Sequence, residues 1–174
     1  SFSVVRYGNV MGSRGSVIPF FIKESKNNVL PITDENMTRF NIELNDGVEF
    51  VLKCLDLMWG GEIFVPKLQS YKVKDIIKAL SIDQKRINII GSRPGEKMHE
   101  EMISKDNGKD TVDFKDYYVI LPSFHEWDEK KFLNKSYKIK GDKCEDNFSY
   151  TSDKNTFLSV NDLKKLISKY KNDN

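Results

Sequence analysis

The amino-acid sequence predicts an α/β protein, and three observations support this prediction. Short apolar runs rich in β-branched residues alternate with stretches whose apolar residues recur at helical spacing. Glycine or proline ends several of these runs, as at Gly60-Gly61 and Pro122. The 174 residues show no internal repeat and suffice for one ordinary domain with its own core.

The first half of the chain is predicted to contain strands and helices in turn. The clearest helix starts near Asn45, a residue that can cap it, and its apolar residues follow at i, i+3, i+4 and i+7 before Gly60-Gly61 ends it. The predicted elements are a strand over 2–7, a helix over 17–25, an extended piece over 30–32, a helix over 45–58, a strand over 62–65 and a helix over 71–80.

The second half is predicted to be richer in loops. A capping box formed by Ser159 and Asp162 opens a last helix that runs through Tyr170. Before it we expect a strand over 87–90, a helix over 96–103, a polar loop over 105–116, a strand over 117–121 and an irregular region over 123–150.

Composition excludes several classes of function. The 28 basic and 26 acidic residues give a net charge of +2, without the strongly basic balance of a nucleic-acid-binding protein. No run approaches the roughly 20 apolar residues of a membrane helix. Cys54, Cys144, His99 and His125 lack the spacing of a zinc site, so we expect no metal and a reducing, cytoplasmic compartment. Cys54 is predicted to be a buried free thiol.

The glycines that follow the first strand form a candidate phosphate cradle. Their spacing, Gly8-x-x-x-Gly12-x-x-Gly15, places backbone N–H groups before a helix, although it is not the dinucleotide fingerprint. Asp34 lies where a ribose-binding acid would fall, so a first Rossmann unit remains an alternative. Pro31 argues against it, because it would lie inside the second strand of that unit. A simple tight turn is the other alternative.

Two arginines are candidates for binding a diphosphate. The planar guanidinium groups of Arg39 and Arg93 can each present a fork of donors to paired phosphate oxygens. Glu96, three residues beyond Arg93, could accept from ribose hydroxyls. For either arginine alone, a surface salt bridge is the alternative.

In order along the chain, several segments resemble UDP-N-acetylglucosamine 4,6-dehydratases, which are extended short-chain dehydrogenase/reductases of Rossmann type. The resemblance covers nearly the whole chain, and the ordered set is specific where each piece alone is not. Its segments are Arg6 to Pro19 (RYGNVMGSRGSVIP), Ile32 to Asp34, Met37 to Phe40, Gly61 to Lys67, Arg93 to Glu100 (RPGEKMHE) and Tyr150 to Asp153 with Asn155.

The resemblance implies that 1–174 is one C-terminal fragment. Residues 1–30 would end the dinucleotide-binding sheet, and 31–174 would form mainly the small substrate-binding α/β region and a tail. A strand opening at residue 1 leads us to expect its neighbours upstream, in an N-terminal Rossmann half absent from this chain. Family membership also implies a homo-oligomer.

The resemblance assigns roles residue by residue. Asn9 would bind UDP-N-acetylglucosamine near its phosphates, Val17 and Thr33 would touch the UDP-sugar, Arg39 and Arg93 would bind its pyrophosphate, and Glu96 would meet the uridine ribose. The nicotinamide side of NADP would run along Val10, Met11, Gly12, Ser13 and Arg14. We expect His99 to face a helix surface or a partner chain.

The implied reaction uses groups that this chain lacks. Hydride would leave sugar carbon 4 for NADP, water would leave across carbons 5 and 6, and hydride would return to carbon 6, with inversion at carbon 5. No Tyr-x-x-x-Lys precedes Arg6-Tyr7-Gly8, so we expect the catalytic residues upstream and no turnover by this chain alone. The alternatives are a capsule-type dehydratase that epimerises carbon 5 and a non-catalytic module for UDP-sugar binding or assembly.

Overall fold

A computed structural model describes the protein over residues 1–13, 15–25, 27–135 and 140–172. Strands and helices alternate along the chain, and the strands include parallel pairs, so the predicted α/β class is confirmed. The chain forms two compact units. Unit 1 comprises residues 1–8, 43–68 and 101–151, and unit 2 comprises residues 9–42, 69–100 and 152–174.

The secondary-structure elements are short. A 3-10 turn over Gln84–Arg86 accompanies the helices and strands. In chain order the latter are β1 (Val4–Val5), β2 (Asn9–Val10), α1 (Val17–Glu24), β3 (Leu30–Ile32), β4 (Thr38–Ile42), α2 (Leu44–Leu57), β5 (Ile63–Pro66), β6 (Gln69–Lys72), α3 (Val73–Ala79), β7 (Ile87–Ile89), β8 (Glu101–Ile103), α4 (Lys105–Gly108), β9 (Thr111–Phe114), β10 (Tyr117–Ile120), α5 (Glu129–Lys135), β11 (Asp142–Lys143), β12 (Tyr150–Thr151) and α6 (Val160–Asn172).

Unit 1 is built on a mixed sheet with the strand order β1-β5-β10-β9-β11. β1 runs parallel to β5, while β10 and β9 continue the sheet antiparallel. Helix α2 contributes Cys54 and Leu57 to the core of this unit. Burial raises the pKa of the Cys54 thiol to about 12, as expected for the predicted buried free cysteine. The core also contains Phe64, Val112, Phe114, Tyr117, Val119, Leu121 and Phe132.

Unit 2 contains the three-stranded sheet β2-β4-β6 and the parallel pair β3-β7. Pro31 lies within β3 and pairs with Asn88, not with β1 or β2, so the alternative of a first Rossmann unit is not supported. Helices α1, α3 and α6 supply much of the core, which contains Ile18, Phe21, Leu30, Ile32, Met37, Tyr71, Val73, Ile76, Ile77, Ile82, Leu158, Leu163 and Ile167.

Several predicted elements were wrong. The helix predicted over 96–103 is a turn followed by β8, and the loop predicted over 105–116 contains α4 and β9. The helix predicted over 71–80 starts only at Val73, because residues 69–72 pair with β4. Part of the region predicted to be irregular, 123–150, forms α5 and β11. In each case strand pairing or packing overrides the local pattern.

Two helix termini also bear on the predictions. Helix α2 begins at Leu44, one residue before the predicted cap Asn45, and Glu43 occupies the cap position without a side-chain bond. The capping box of α6 is confirmed, since the Asp162 backbone N–H donates to Ser159 Oγ at 3.1 Å and Ser159 Oγ donates to the Asp162 carboxylate at 2.6 Å. Among the described residues, no helix is long and apolar enough to cross a bilayer.

Candidate functional site

Unit 2 contains a cleft with a volume of about 230 Å³. It lies among the start of α1, the residues from β3 to β4, and the loop after β7. Five of the six predicted substrate-binding residues line it, although they are spread over most of the unit in sequence. The lining residues are Gly15, Val17, Phe20, Phe21, Pro31, Ile32, Thr33, Asp34, Met37, Arg39, Val73, Ile90, Arg93 and Glu96.

Arg39 enters the cleft from β4 with its guanidinium group already oriented. Its Nη1 donates to the carbonyl oxygens of Thr38 at 2.7 Å and Met98 at 3.1 Å. Its Nε lies 3.4 Å from Oε1 of Glu100, and only 13% of the side chain is exposed. Its Nη2 donates to Met37 Sδ at 3.6 Å, so all three guanidinium nitrogens have protein partners that fix the orientation of the group at the cleft.

A buried polar network lies behind Arg39. The Thr38 hydroxyl is 2.8 Å from His99 Nδ1 and 2.6 Å from the Ser152 hydroxyl, which accepts from the Glu100 backbone N–H at 2.8 Å. His99 therefore bonds inside unit 2 and lies in a turn, so the expectation that it faces a helix surface was wrong, and its contact with a partner chain stays a prediction. The predicted helix placed it outside, whereas the actual turn directs its ring towards Thr38.

Tyr71 pairs with Arg39 across β4 and β6. Burial raises the pKa of Tyr71 to about 12, with the Arg39 guanidinium opposing this shift and the Glu100 carboxylate adding to it. The phenol is therefore neutral at physiological pH, and Glu100 is the carboxylate that pairs with Arg39 here.

The loop that carries Arg93 and Glu96 is ordered by its own hydrogen bonds. Thr33 Oγ1 donates to Oε1 of Glu96 at 3.1 Å, and the Arg93 backbone N–H donates to Oε2 at 3.2 Å. Gly95 has φ of +80°, a left-handed conformation that glycine adopts without strain. The loop thus fixes a carboxylate at the cleft and presents the exposed Arg93 side chain beside it.

The N-terminus of α1 adds uncharged donors at the cleft. The backbone N–H groups of Val17 and Ile18 lie in the first helical turn and have no acceptor within the helix. The Ser16 hydroxyl is buried and has no hydrogen-bond partner among the described residues. Ser16 does not line the cleft itself, whereas its neighbours Gly15 and Val17 do.

Sequence reasoning missed the apolar wall of the cleft. Phe20 and Ile90 are 37% and 49% exposed, and both line the cleft with Met37. Phe20 follows Val17 by one helical turn, so the helical spacing could have indicated that it shares the same face. The position of Ile90 depends on the β3-β7 pairing, which the sequence did not show.

Asn9 does not line the cleft, so the predicted convergence of Asn9, Arg39 and Arg93 is only partly observed. Asn9 pairs with Asn41 on β4, two residues beyond Arg39, and its side chain is exposed. Residues 39 and 41 share one sheet face, so the register places Asn9 on the face that bears Arg39, one strand away.

Of the predicted cofactor-binding residues, Val10 ends β2, and Met11 and Gly12 form a turn that leads to Ser13. The Met11 backbone N–H donates to the Ile42 carbonyl at 2.8 Å, and that of Ser13 donates to the Val10 carbonyl at 3.2 Å. Gly12 has φ of +73°, and a Cβ there would lie 2.4 Å from the Tyr170 ring, so only glycine fits. Ser13 is exposed. Arg14, also predicted to contact the cofactor, lies outside the described residues.

One Tyr-x-x-x-Lys spacing does occur in the chain, at Tyr150 and Lys154. The Tyr150 hydroxyl accepts from the Leu68 backbone N–H at 2.7 Å and donates to the Leu68 carbonyl at 2.9 Å. Residues 150–151 form a strand, where this spacing does not bring the two side chains to one face of a helix as i and i+4. The pair therefore does not form a catalytic base, and Tyr150 serves the structure. The described residues contain no cluster of three metal-ligating side chains.

An α/β fold with a cleft lined by two arginines and the start of a helix has donors and positive charge suited to an anionic ligand. The chain belongs to the polysaccharide biosynthesis protein family, whose sequence pattern matches residues 1–122. It is 51% identical over 157 residues to the protein named UDP-N-acetylglucosamine 4,6-dehydratase (inverting) in Campylobacter jejuni strain 81-176, covering 88% of this chain and 47% of that protein.

Other comparisons agree with this assignment. A protein with the same name from Campylobacter jejuni strain NCTC 11168 is 48% identical over 96% of this chain and 51% of its own length. The UDP-glucose 4-epimerase of Rickettsia conorii is 38% identical over 94% of this chain and 48% of its own length. The X-ray structure of Pen from Bacillus thuringiensis matches with a TM-score of 0.80 and 30% identity, over 98% of this chain and 51% of that chain. The chain thus spans about half the length of the curated relatives it matches, and the resemblance to the dehydratases is confirmed.

Proposed function

We propose that this chain is the UDP-sugar-binding half of a UDP-N-acetylglucosamine 4,6-dehydratase that inverts carbon 5. The enzyme would act in nucleotide-sugar metabolism that leads to pseudaminic acid or another surface glycan. The two Campylobacter jejuni relatives that bear this name support the reaction class. The observation that carries the proposal is the cleft of unit 2, where Arg39, Arg93 and Glu96 meet.

Arg39 and Arg93 are proposed to bind the diphosphate of the UDP-sugar. The two guanidinium groups line one cleft, one mostly buried and already oriented, the other exposed. Each charge-assisted contact contributes about 1.5–3 kcal/mol. The first turn of α1, which reaches the cleft at Val17, adds backbone donors that favour an anion at the same place.

Glu96 is proposed to accept from the uridine ribose. Its two oxygens already accept from Thr33 and from the Arg93 backbone, at 3.1 and 3.2 Å. An ionised carboxylate has about four lone-pair sites, so two remain for ribose hydroxyls. In this arrangement Thr33 contacts the UDP-sugar and orients Glu96. Val17 and Phe20 provide apolar contacts to the same ligand.

The turn after β2 is proposed to form one wall of an NADP site. Val10 and Met11 offer apolar surface and Ser13 an exposed hydroxyl, which fits contact with a nicotinamide ring and its ribose. The Met11 backbone N–H donates to Ile42, that of Ser13 donates to Val10, and Tyr170 fills the space beside Gly12, which supports a contact of this turn with the nicotinamide side and not with a phosphate. The bound cofactor would accept and return the hydride, and the remaining wall would come from a Rossmann half.

The partners and setting follow from the same proposal. We propose that the N-terminal Rossmann half of the enzyme supplies the catalytic residues, that the assembled enzyme is a cytoplasmic homo-oligomer, and that this chain alone does not turn over substrate. A mixture of the 174-residue chain with NADP and UDP-N-acetylglucosamine is therefore expected to form no 4-keto product by mass spectrometry. Turnover at the rate of an intact dehydratase would contradict this.

Isothermal titration of the 174-residue chain tests the binding proposal. UDP and UDP-N-acetylglucosamine are expected to bind at one site, and UMP is expected to bind at least tenfold more weakly because it lacks the second phosphate. Equal affinity for UMP and UDP would refute the diphosphate assignment. UDP-glucose serves as a comparison, since the Rickettsia relatives named UDP-glucose 4-epimerase support the UDP portion more strongly than the acetamido group.

A further inference from the structure

The orientation of the Arg39 guanidinium group decides which of its five N–H donors can reach a ligand. Nη1 donates to the carbonyl oxygens of Thr38 and Met98, which takes two of the donors. Nε–H faces Glu100 Oε1 at 3.4 Å, and one Nη2–H faces Met37 Sδ at 3.6 Å. The second Nη2–H has no acceptor among the residues that the structure describes. Because one donor remains, anion binding by Arg39 depends on the angle at which the group is held.

The two carbonyl oxygens that hold Nη1 are themselves held by other groups of unit 2. The Thr38 carbonyl also accepts from the Ser152 hydroxyl at 3.2 Å, and the Met98 carbonyl accepts from the Thr38 backbone N–H at 3.1 Å. Ser152 is fully buried, and its backbone N–H donates to the Glu100 carbonyl at 2.8 Å. A shift of Thr38 or Met98 would therefore turn the guanidinium group of Arg39.

A count of protons gives the direction of the hydrogen bonds in this network. The Ser152 hydroxyl has one proton, which it donates to the Thr38 carbonyl. In the 2.6 Å contact between the two hydroxyls, Thr38 Oγ1 is then the donor and Ser152 Oγ the acceptor. The Thr38 proton is used in that contact, so Thr38 Oγ1 accepts from His99 Nδ1 across 2.8 Å. This direction requires a hydrogen on Nδ1 of His99.

We propose that His99 is a positioning residue for diphosphate binding. Its Nδ1–H starts a chain of donors that runs through Thr38 Oγ1 and Ser152 Oγ to the Thr38 carbonyl, which also holds Nη1 of Arg39. The chain keeps the remaining Nη2–H of Arg39 available to a ligand in the cleft. The inference rests on the proposed function for the identity of the ligand, and it adds the residue that orients the arginine.

Two amide substitutions of His99 separate the position of the donor from the presence of the ring. Asparagine places its side-chain nitrogen close to the position of Nδ1, whereas glutamine, longer by one methylene, places it near that of Nε2. By isothermal titration, His99→Asn is expected to keep the Kd for UDP within about twofold of the unmodified chain. His99→Gln and His99→Ala are expected to raise it about threefold to tenfold. Hydrogen exchange of the Arg39 Nε–H is expected to be about tenfold faster in these two variants only.

Nitrogen-15 NMR of the histidine rings tests the donor assignment without any substitution. At about pH 8.5 histidine is ordinarily neutral, so one ring nitrogen carries the hydrogen. We expect His99 to carry it on Nδ1. His125 is the internal reference, because its Nδ1 lies 2.8 Å from the Trp127 carbonyl oxygen, which can only accept. The ring signals that disappear in His99→Asn identify those of His99.

The outcomes separate this proposal from the proposed function. A hydrogen on Nε2 and not on Nδ1 of His99 overturns the chain of donors. Equal UDP affinity in His99→Asn and His99→Gln overturns the positioning role, as does a His99→Ala variant with unchanged affinity. If the unmodified chain does not bind UDP, the proposed function fails. The NMR and exchange measurements need no ligand, so they still decide whether His99 orients Arg39.

Discussion

Replacing Arg93 with alanine isolates one contact to the proposed diphosphate. The side chain is exposed, and the hydrogen bond that orders its loop uses its backbone N–H, which alanine keeps. We therefore expect little change in stability. A charge-assisted contact contributes about 1.5–3 kcal/mol. Because Arg93 is exposed to solvent, its contact with the diphosphate is expected at the lower end, about 1.5 kcal/mol. That difference corresponds to roughly a tenfold increase in the Kd for UDP.

Arg39→Ala is expected to behave differently from Arg93→Ala. Arg39 is 13% exposed and bonds to two carbonyl oxygens and to Glu100, so its loss leaves these acceptors without a partner. We expect a loss of about 1–3 kcal/mol in the free energy of unfolding, in addition to weaker UDP binding.

Isothermal titration with UDP and urea unfolding of the same preparations measure both effects. Lys97→Ala is the matched control, because Lys97 is an exposed cation in the same loop that does not line the cleft. Equal UDP affinity of Arg93→Ala and the unmodified chain would refute the diphosphate assignment. An equal loss of affinity in Lys97→Ala would show that the effect is one of net charge and not of the cleft.

The remaining predictions concern the buried polar groups and one pH effect. Thr38→Val keeps the side-chain shape but removes the hydroxyl of the network behind Arg39. It is expected to weaken UDP binding about threefold to tenfold and to lower the free energy of unfolding in urea by about 1–2 kcal/mol. Unchanged affinity would show that the network does not position Arg39. Glu62 is fully buried and accepts from Ser3 Oγ and from the backbone N–H groups of residues 59 and 60. Glu62→Gln, which turns an amide towards these donors, is expected to lower the thermal midpoint by about 4–8 °C, a loss of about 2 kcal/mol, and an unchanged midpoint would contradict this. Hydrogen bonds from the Ser159 hydroxyl and backbone lower the pKa of the Asp162 carboxyl from its ordinary value of 3.8. The ionised Asp162 carboxylate therefore stabilises the fold above about pH 4, and this contribution is lost as the pH falls below that value. Between about pH 5 and 2.5, the stability measured by circular dichroism is expected to fall less in Asp162→Asn than in the unmodified chain.

The sequence predicted the fold class and the elements whose local signals agree with their packing. The α6 capping box is an example, because its partners are three residues apart. The helix predicted over 96–103 was wrong because strand β8 pairs with β12, a long-range contact that periodicity does not report. In α2 the predicted apolar pattern was real, yet Val48, Leu52 and Leu55 lie outside the core. A pattern shows that one side of a helix is apolar, but not which partner covers it.

The candidate site was predictable where motif and fold coincide. Arg93, Glu96 and Thr33 lie in segments that resemble the dehydratases, and the structure brings them together in one cleft. The groups behind Arg39 could not be predicted, because Thr38 and Ser152 are 114 residues apart and meet only through tertiary structure. Asn9 was predicted from the motif alone, and its strand position keeps it one strand away from the cleft lining.

A crystal structure of the 174-residue chain with UDP tests the central claim most directly. The account predicts the diphosphate in the unit 2 cleft, with phosphate oxygens within about 3 Å of the Arg39 and Arg93 guanidinium groups and the ribose beside Glu96. Diphosphate density elsewhere on the chain, or a UDP molecule that contacts neither arginine, would contradict it.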